Sequence, residues 1–160
     1  MTAIAGNDQT FTTGDAMIKA PQLPVIFLLH PVGVGATRAM NVLSTKLWLR
    51  ALVELLPDVV ISAPWLPYAE AMVDRERGIR DALVAAESCH GAAAVGGEFS
   101  RGMMTEWDLF GHLSRPRIDL TRRPLPGILT YETFSETRTQ AFRTSVTEKF
   151  SVLQSQKAAA

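Results

Sequence analysis

Glu106 lies in the stretch VGGEFSRGMMTEWDLFGHL, from Val95 to Leu113. If that stretch is helical, its neighbours three and four positions away are Gly102, Met103, Leu109 and Phe110, none of which can neutralise a carboxylate. Most helix glutamates face solvent, and the same spacing fits that ordinary role. Removal from water would instead raise the carboxyl pKa, and carboxyls shifted in this way concentrate at functional sites. Beside a cleft, such a group could attack carbon as a nucleophile. Ser100, six residues earlier, has the side chain of a helix N-cap. A helix start that also contains Gly102 offers free N–H groups and the positive end of the helix dipole to a phosphate or a sugar hydroxyl.

Other residues admit both a chemical and a packing role. Arg38 follows the glycine-containing loop Gly33-Val-Gly-Ala-Thr37. That loop lacks the Lys-Ser/Thr ending of a phosphate-binding P-loop, so Arg38 is either a cation for a ligand or a solvated helix residue. His30, at the end of an apolar run, is either an acid–base group or a hydrogen-bonded structural ring. Trp65 can stack on a flat ligand or pack in the core. Cys89 has no partner for catalysis and reads as a small buried apolar residue. The three histidines lack metal-ligand spacing, so no metal site is expected.

The elements that must position these residues alternate in type. Pro24–His30 is a short apolar run ended by Pro31 and Gly33, the pattern of a buried parallel strand. Residues 36–56 turn helical, with Met40, Leu43, Leu47, Ala51 and Leu55 on one stripe and Val42, Leu49, Val53 and Leu56 on another. A second strand spans 58–64, and a loop or broken helix spans 65–74. A helix covers about 77–88, and a small-residue strand covers 91–97. After the helix containing Glu106, strands are expected at 115–120 and 127–131. The last helix, about 134–153, would present Phe142, Val146, Phe150 and Leu153.

Strand and helix in steps of about thirty residues predict a single α/β domain over residues 23–155. The expected fold is a Rossmann-like, flavodoxin-like three-layer sandwich with a mostly parallel sheet of about five strands. Residues 1–22 read as a flexible segment and 156–160 as a frayed tail. Ligands of such sheets sit beyond the carboxyl ends of the strands, at the point where the chain reverses direction. His30–Arg38, Pro64–Asp74 and Glu98–Glu106 should therefore surround one cleft.

Sixteen basic and sixteen acidic side chains cancel, which argues against a nucleic acid polymer as partner. One cysteine allows no internal disulfide, and a reduced, cytoplasmic setting is the expectation. The start of the chain does not read as a secretory signal, and no apolar run is long enough to cross a bilayer. Two apolar stripes on the first long helix need two covers, and the C-terminal helix or a second copy of the chain could supply the second. A homo-oligomer, a dimer or larger, is expected.

Ser100-Arg-Gly102-Met-Met-Thr-Glu106, directly after a small-residue strand, resembles the signature of the nucleoside 2-deoxyribosyltransferase superfamily, which includes nucleoside 5′-monophosphate N-glycosidases. The resemblance extends over Val25 to Leu120, including "APWLPY" and "DRERGIRD". It implies a small-molecule nucleoside or nucleotide as ligand, with no cofactor. Glu106 would be the nucleophile that takes the sugar C1′, with hydrolysis or transfer at the N-glycosidic bond. A retaining mechanism needs a second acid about 5 Å away. Asp81 is the matched position and Asp74 the substitute, although Asp81 also stands one turn from Arg77, as in a surface ion pair. Serine at position 100, where relatives acting on nucleosides carry an acid, implies a 5′-monophosphate, with Arg38 as its cation.

The chain departs from the family pattern in places. His30-Pro31-Val32 stands where relatives carry a tyrosine, so that either His30 or Tyr68 would fill the space. Met104 replaces a glycine and His90 an aspartate. These departures leave open a protein that binds a nucleotide without turning it over, or a structural module whose cleft is filled by Met103, Met104 and Trp107.

Overall fold

The computed structural model describes residues 12–13, 16–17, 22–33, 35–71, 74–123 and 136–159. In chain order these form β1 (Thr12–Thr13), β2 (Ala16–Met17), β3 (Val25–Leu29), α1 (Gly35–Leu55), β4 (Val60–Ser62), α2 (Leu66–Ala71), α3 (Arg75–Ala86), β5 (Gly91–Ala94), α4 (Arg101–His112), β6 (Arg117–Asp119) and α5 (Glu136–Ala159). The first two pair antiparallel in a two-stranded ribbon. The other four make one parallel sheet in the order β4-β3-β5-β6.

That order explains where the helices lie. The chain steps outward from β3 to β4, then returns past β3 to β5 and goes on to β6. Right-handed crossovers put the helices of the two directions on opposite faces. Ile26 and Leu28 pack on one face with Trp48 and Leu52 of α1, with Leu56 just after it, and with Phe142 and Val146 of α5. Phe27 and Leu29 point the other way, toward Ala69 of α2, Ala82 and Ala86 of α3, and Met103 and Phe110 of α4. Three layers result, in an α/β arrangement compatible with a Rossmann-like fold. The strand expected at 127–131 lies outside the described residues.

β3 is buried from Ile26 to Leu29, and the alanines of β5 are buried as well. Small residues there let α4 approach the sheet closely, and Phe110 reaches Phe27 with ring centroids 5.7 Å apart.

On α1 the structure corrects the expected facing. Met40, Leu43 and Leu47 are 65%, 54% and 38% exposed, while Thr45, Trp48, Leu52 and Leu56 are buried. The sheet-facing line runs between the two apolar stripes because the indole of Trp48 is the largest side chain available to fill that layer. Thr45 tolerates the interior because its hydroxyl donates to Asn41 O at 2.7 Å. The last helix is also longer than its apolar pattern, continuing past Leu153 to Ala159, through residues expected to be a tail. Among the described residues no helix is long and apolar enough to cross a membrane.

Candidate functional site

A cavity of about 310 Å³ opens at the carboxyl ends of β3 and β5, the strands between which the chain reverses direction. The cleft expected from the order of elements is therefore present, and the three expected segments line it together with α3. The turn after β3 contributes His30 and Gly33, the first turns of α1 contribute Arg38, and α2 contributes Tyr68. Ser100, Gly102 and Glu106 come from the start of α4. Its floor is apolar, with Trp65 and Met103.

Glu106 shares the inward face of α4 with Met103 and Phe110, three and four positions away. It is 7% exposed, and among the described residues nothing donates a hydrogen bond to it or pairs with its charge. Burial pushes its carboxyl up to about 7. It is also the only carboxylate among the described residues that line the cavity. Ser100 caps the helix, accepting from Met103 N at 3.3 Å. Its hydroxyl can still donate into the cavity.

His30 is held on all sides. Its Nδ1 lies 2.8 Å from Pro31 O and its Nε2 lies 2.7 Å from Ser44 Oγ. A carbonyl can only accept, so Nδ1 carries the proton and Nε2 accepts from the serine hydroxyl. Burial lowers the pKa of the ring, partly offset by the bond to Pro31. Gly96, at φ +84°, presses its backbone against the same ring. His30 is thus a neutral, fixed wall of the cavity. Trp65 is fixed similarly, its Nε1 donating to Leu28 O at 2.8 Å.

The two acids named from the sequence as partners of Glu106 are placed elsewhere. Asp81 does not line the cavity. It accepts from the Tyr68 hydroxyl at 2.8 Å and faces Arg80 Nε at 3.4 Å and Arg77 Nε at 3.6 Å. Asp74 caps α3, accepting from Glu76 N at 3.0 Å. Met104 is largely exposed, and Trp107 lies in an edge-on contact with Phe99 and under the Arg117 guanidinium. Neither fills the cleft.

Sequence reasoning missed Arg75, the first residue of α3, and Thr37 and Asn41 of α1, all of which line the cavity. Thr37 and Asn41 sit one turn apart beside Arg38, so a four-residue polar spacing at the start of α1 was the available signal. Arg38 Nε is buried without a hydrogen-bond partner among the described residues. Among the described residues the cavity therefore brings together a carboxyl without a partner, the guanidinium side chains of Arg38 and Arg75, a helix N-terminus and an apolar floor. That set suits a small ligand with an apolar body, an anionic group and a centre for Glu106 to act upon. Comparison of the chain with protein-family models, with curated proteins and with solved structures gave no match.

Proposed function

We propose that the cavity takes a nucleoside or nucleoside 5′-monophosphate and that Glu106 attacks C1′ of its sugar. One observation carries this reading: Glu106 is a buried carboxyl, without a partner among the described residues, lining a cavity that also holds the start of α4. A Glu106 oxygen forms a bond to C1′ as the bond from C1′ to the base nitrogen breaks. The base leaves with that electron pair and takes a proton from water. Attack by water on the glycosyl ester then frees the sugar and restores Glu106. Capture by a second base in place of water would make the reaction a transfer. Arg38 and Arg75 suit the phosphate form of the ligand, and the apolar floor suits the base. The reading extends to a Rossmann-like, flavodoxin-like sheet with a fifth strand and to a cytoplasmic setting. It includes a homo-oligomer in which a second copy covers the exposed Met40, Leu43 and Leu47 of α1.

The test is incubation with a panel of nucleosides and 5′-monophosphates, with chromatography for free base. Release by the wild type and none by Glu106→Ala supports the reading. No release from any compound, or undiminished release by the variant, overturns it. Adding a competing base separates transfer from hydrolysis, and light scattering at micromolar concentration tests the oligomer.

A second reading has its own observation. Among the described lining residues no carboxylate accompanies Glu106, as fits a protein that sequesters a nucleotide without cleaving it. Calorimetry showing tight binding, with the ligand recovered intact, favours that reading.

A further inference from the structure

The wall of the cavity built by α2 and α3 carries a polar chain that attack by Glu106 leaves unused. Tyr68 lines the cavity, and its hydroxyl lies 2.8 Å from Asp81 Oδ2. The hydrogen bond from Tyr68, together with Arg80 and Arg77, holds the Asp81 carboxyl below its ordinary value. An ionised carboxylate can only accept, so the phenol is the donor and the polarity of the chain is set. Two guanidinium groups favour the anion of Asp81, Asp81 receives the one proton of Tyr68, and the phenol oxygen keeps only lone pairs to offer. The ring is also held through its root. Gly78 of α3 packs so closely that a Cβ there would stand 3.2 Å from Tyr68 Cβ.

We propose that Tyr68 Oη, oriented by Asp81, is an acceptor subsite for a hydroxyl group of the ligand's sugar. The subsite rests on the nucleotide reading of the cavity given above. It recognises a ligand O–H, and it makes Asp81 a positioning residue that acts through Tyr68. A phenol whose proton is held by a carboxylate can only accept from the ligand, so a ligand without a hydroxyl there forgoes that hydrogen bond.

Calorimetry with adenosine 5′-monophosphate and its 2′,3′-dideoxy analogue tests the subsite. Tyr68→Phe should weaken binding of the hydroxylated probe about tenfold, the worth of one hydrogen bond, and leave the dideoxy probe unchanged. Asp81→Asn should weaken the same probe selectively. Retained binding of the dideoxy probe shows that each variant is folded. Equal loss for both probes, or no loss for either, overturns the subsite while leaving the nucleotide reading in place. A wild type that binds neither probe overturns the nucleotide reading and the subsite with it.

Ultraviolet titration of the two tyrosines follows the Tyr68–Asp81 pair without any ligand. The bond to Asp81 raises the Tyr68 pKa, so the wild type should show one phenol titrating above the ordinary range. That phenol is absent in Tyr68→Phe and returns to the ordinary range in Asp81→Asn. A titration unchanged by Asp81→Asn overturns the positioning role.

Discussion

Gly96 and His30 are in direct contact: a Cβ at position 96 would stand 2.3 Å from His30 Nε2, and the residue holds φ +84°. Both facts oppose any side chain there. Gly96→Ala should destabilise the fold by about 2 kcal/mol or more, from left-handed backbone strain and displacement of a packed ring. Urea denaturation compares the two proteins. A variant as stable as the wild type would show that the ring can move aside freely.

His90 closes the chain before β5 by a two-way contact with Val25. Val25 N donates to His90 Nδ1 at 3.0 Å, and His90 N donates to Val25 O at 2.7 Å. Nδ1 must therefore be unprotonated, and burial, the largest cause, lowers the pKa of the ring. A lowered folded pKa means that this contribution is present above the unfolded value of 6.5 and is lost as pH falls below it. His90→Gln, whose side-chain oxygen cannot be protonated in that range, should lose less stability between pH 7 and 5 than the wild type. Equal slopes would contradict the assignment.

Glu106 gives the opposite sign. Its folded pKa, about 7, exceeds the ordinary 4.5. The unfolded chain ionises first, so stability falls as pH rises from 4.5 to about 7 and then levels off. Removing the charge with Glu106→Gln should raise stability at pH 8 by up to about 3 kcal/mol and change little near pH 4.5. Denaturant midpoints at the two pH values check this, and a Glu106→Gln variant no more stable at pH 8 would show that the carboxyl is well solvated or paired.

Arg38 and Arg75 should tell charged from neutral ligands. Alanine at either position is expected to weaken binding of a nucleoside 5′-monophosphate by roughly 10-fold to 100-fold, as for a charge-assisted hydrogen bond. The matching nucleoside should be almost unaffected. Calorimetry with the pair of ligands reads the difference, and equal losses would remove the phosphate assignment.

The layered order of elements was legible because periodicity reports burial directly. An all-apolar run such as Val25–Leu29 needs cover on both faces, and it forms the central β3. Glu106 was legible for the same reason, as an acid among apolar neighbours along one helix. The facing of α1 was not, since two apolar stripes compete and only the volume of Trp48 against the sheet decides between them. Arg75 was missed, and Asp81 was left between a catalytic role and the ion pair with Arg77 that the structure shows, because their placement depends on where α3 meets α2, a relation between distant side chains that spacing along one helix does not encode. Asp81 is drawn off by Tyr68, thirteen residues away, while Arg75 turns to the cavity.

The pH dependence of turnover follows from the ionisation of Glu106, because only the carboxylate can attack. Base release, measured as kcat/KM, should rise with pH through an apparent pKa near 7. A rate that falls over the same interval would assign Glu106 the role of proton donor instead.

The most direct measurement is rapid acid quench of the wild type during incubation with a nucleoside 5′-monophosphate, followed by mass mapping of its peptides. The account predicts a sugar-phosphate adduct on the peptide containing Glu106, absent in Glu106→Gln. Free base appearing with no adduct at Glu106, or at an equal rate in the variant, would contradict it.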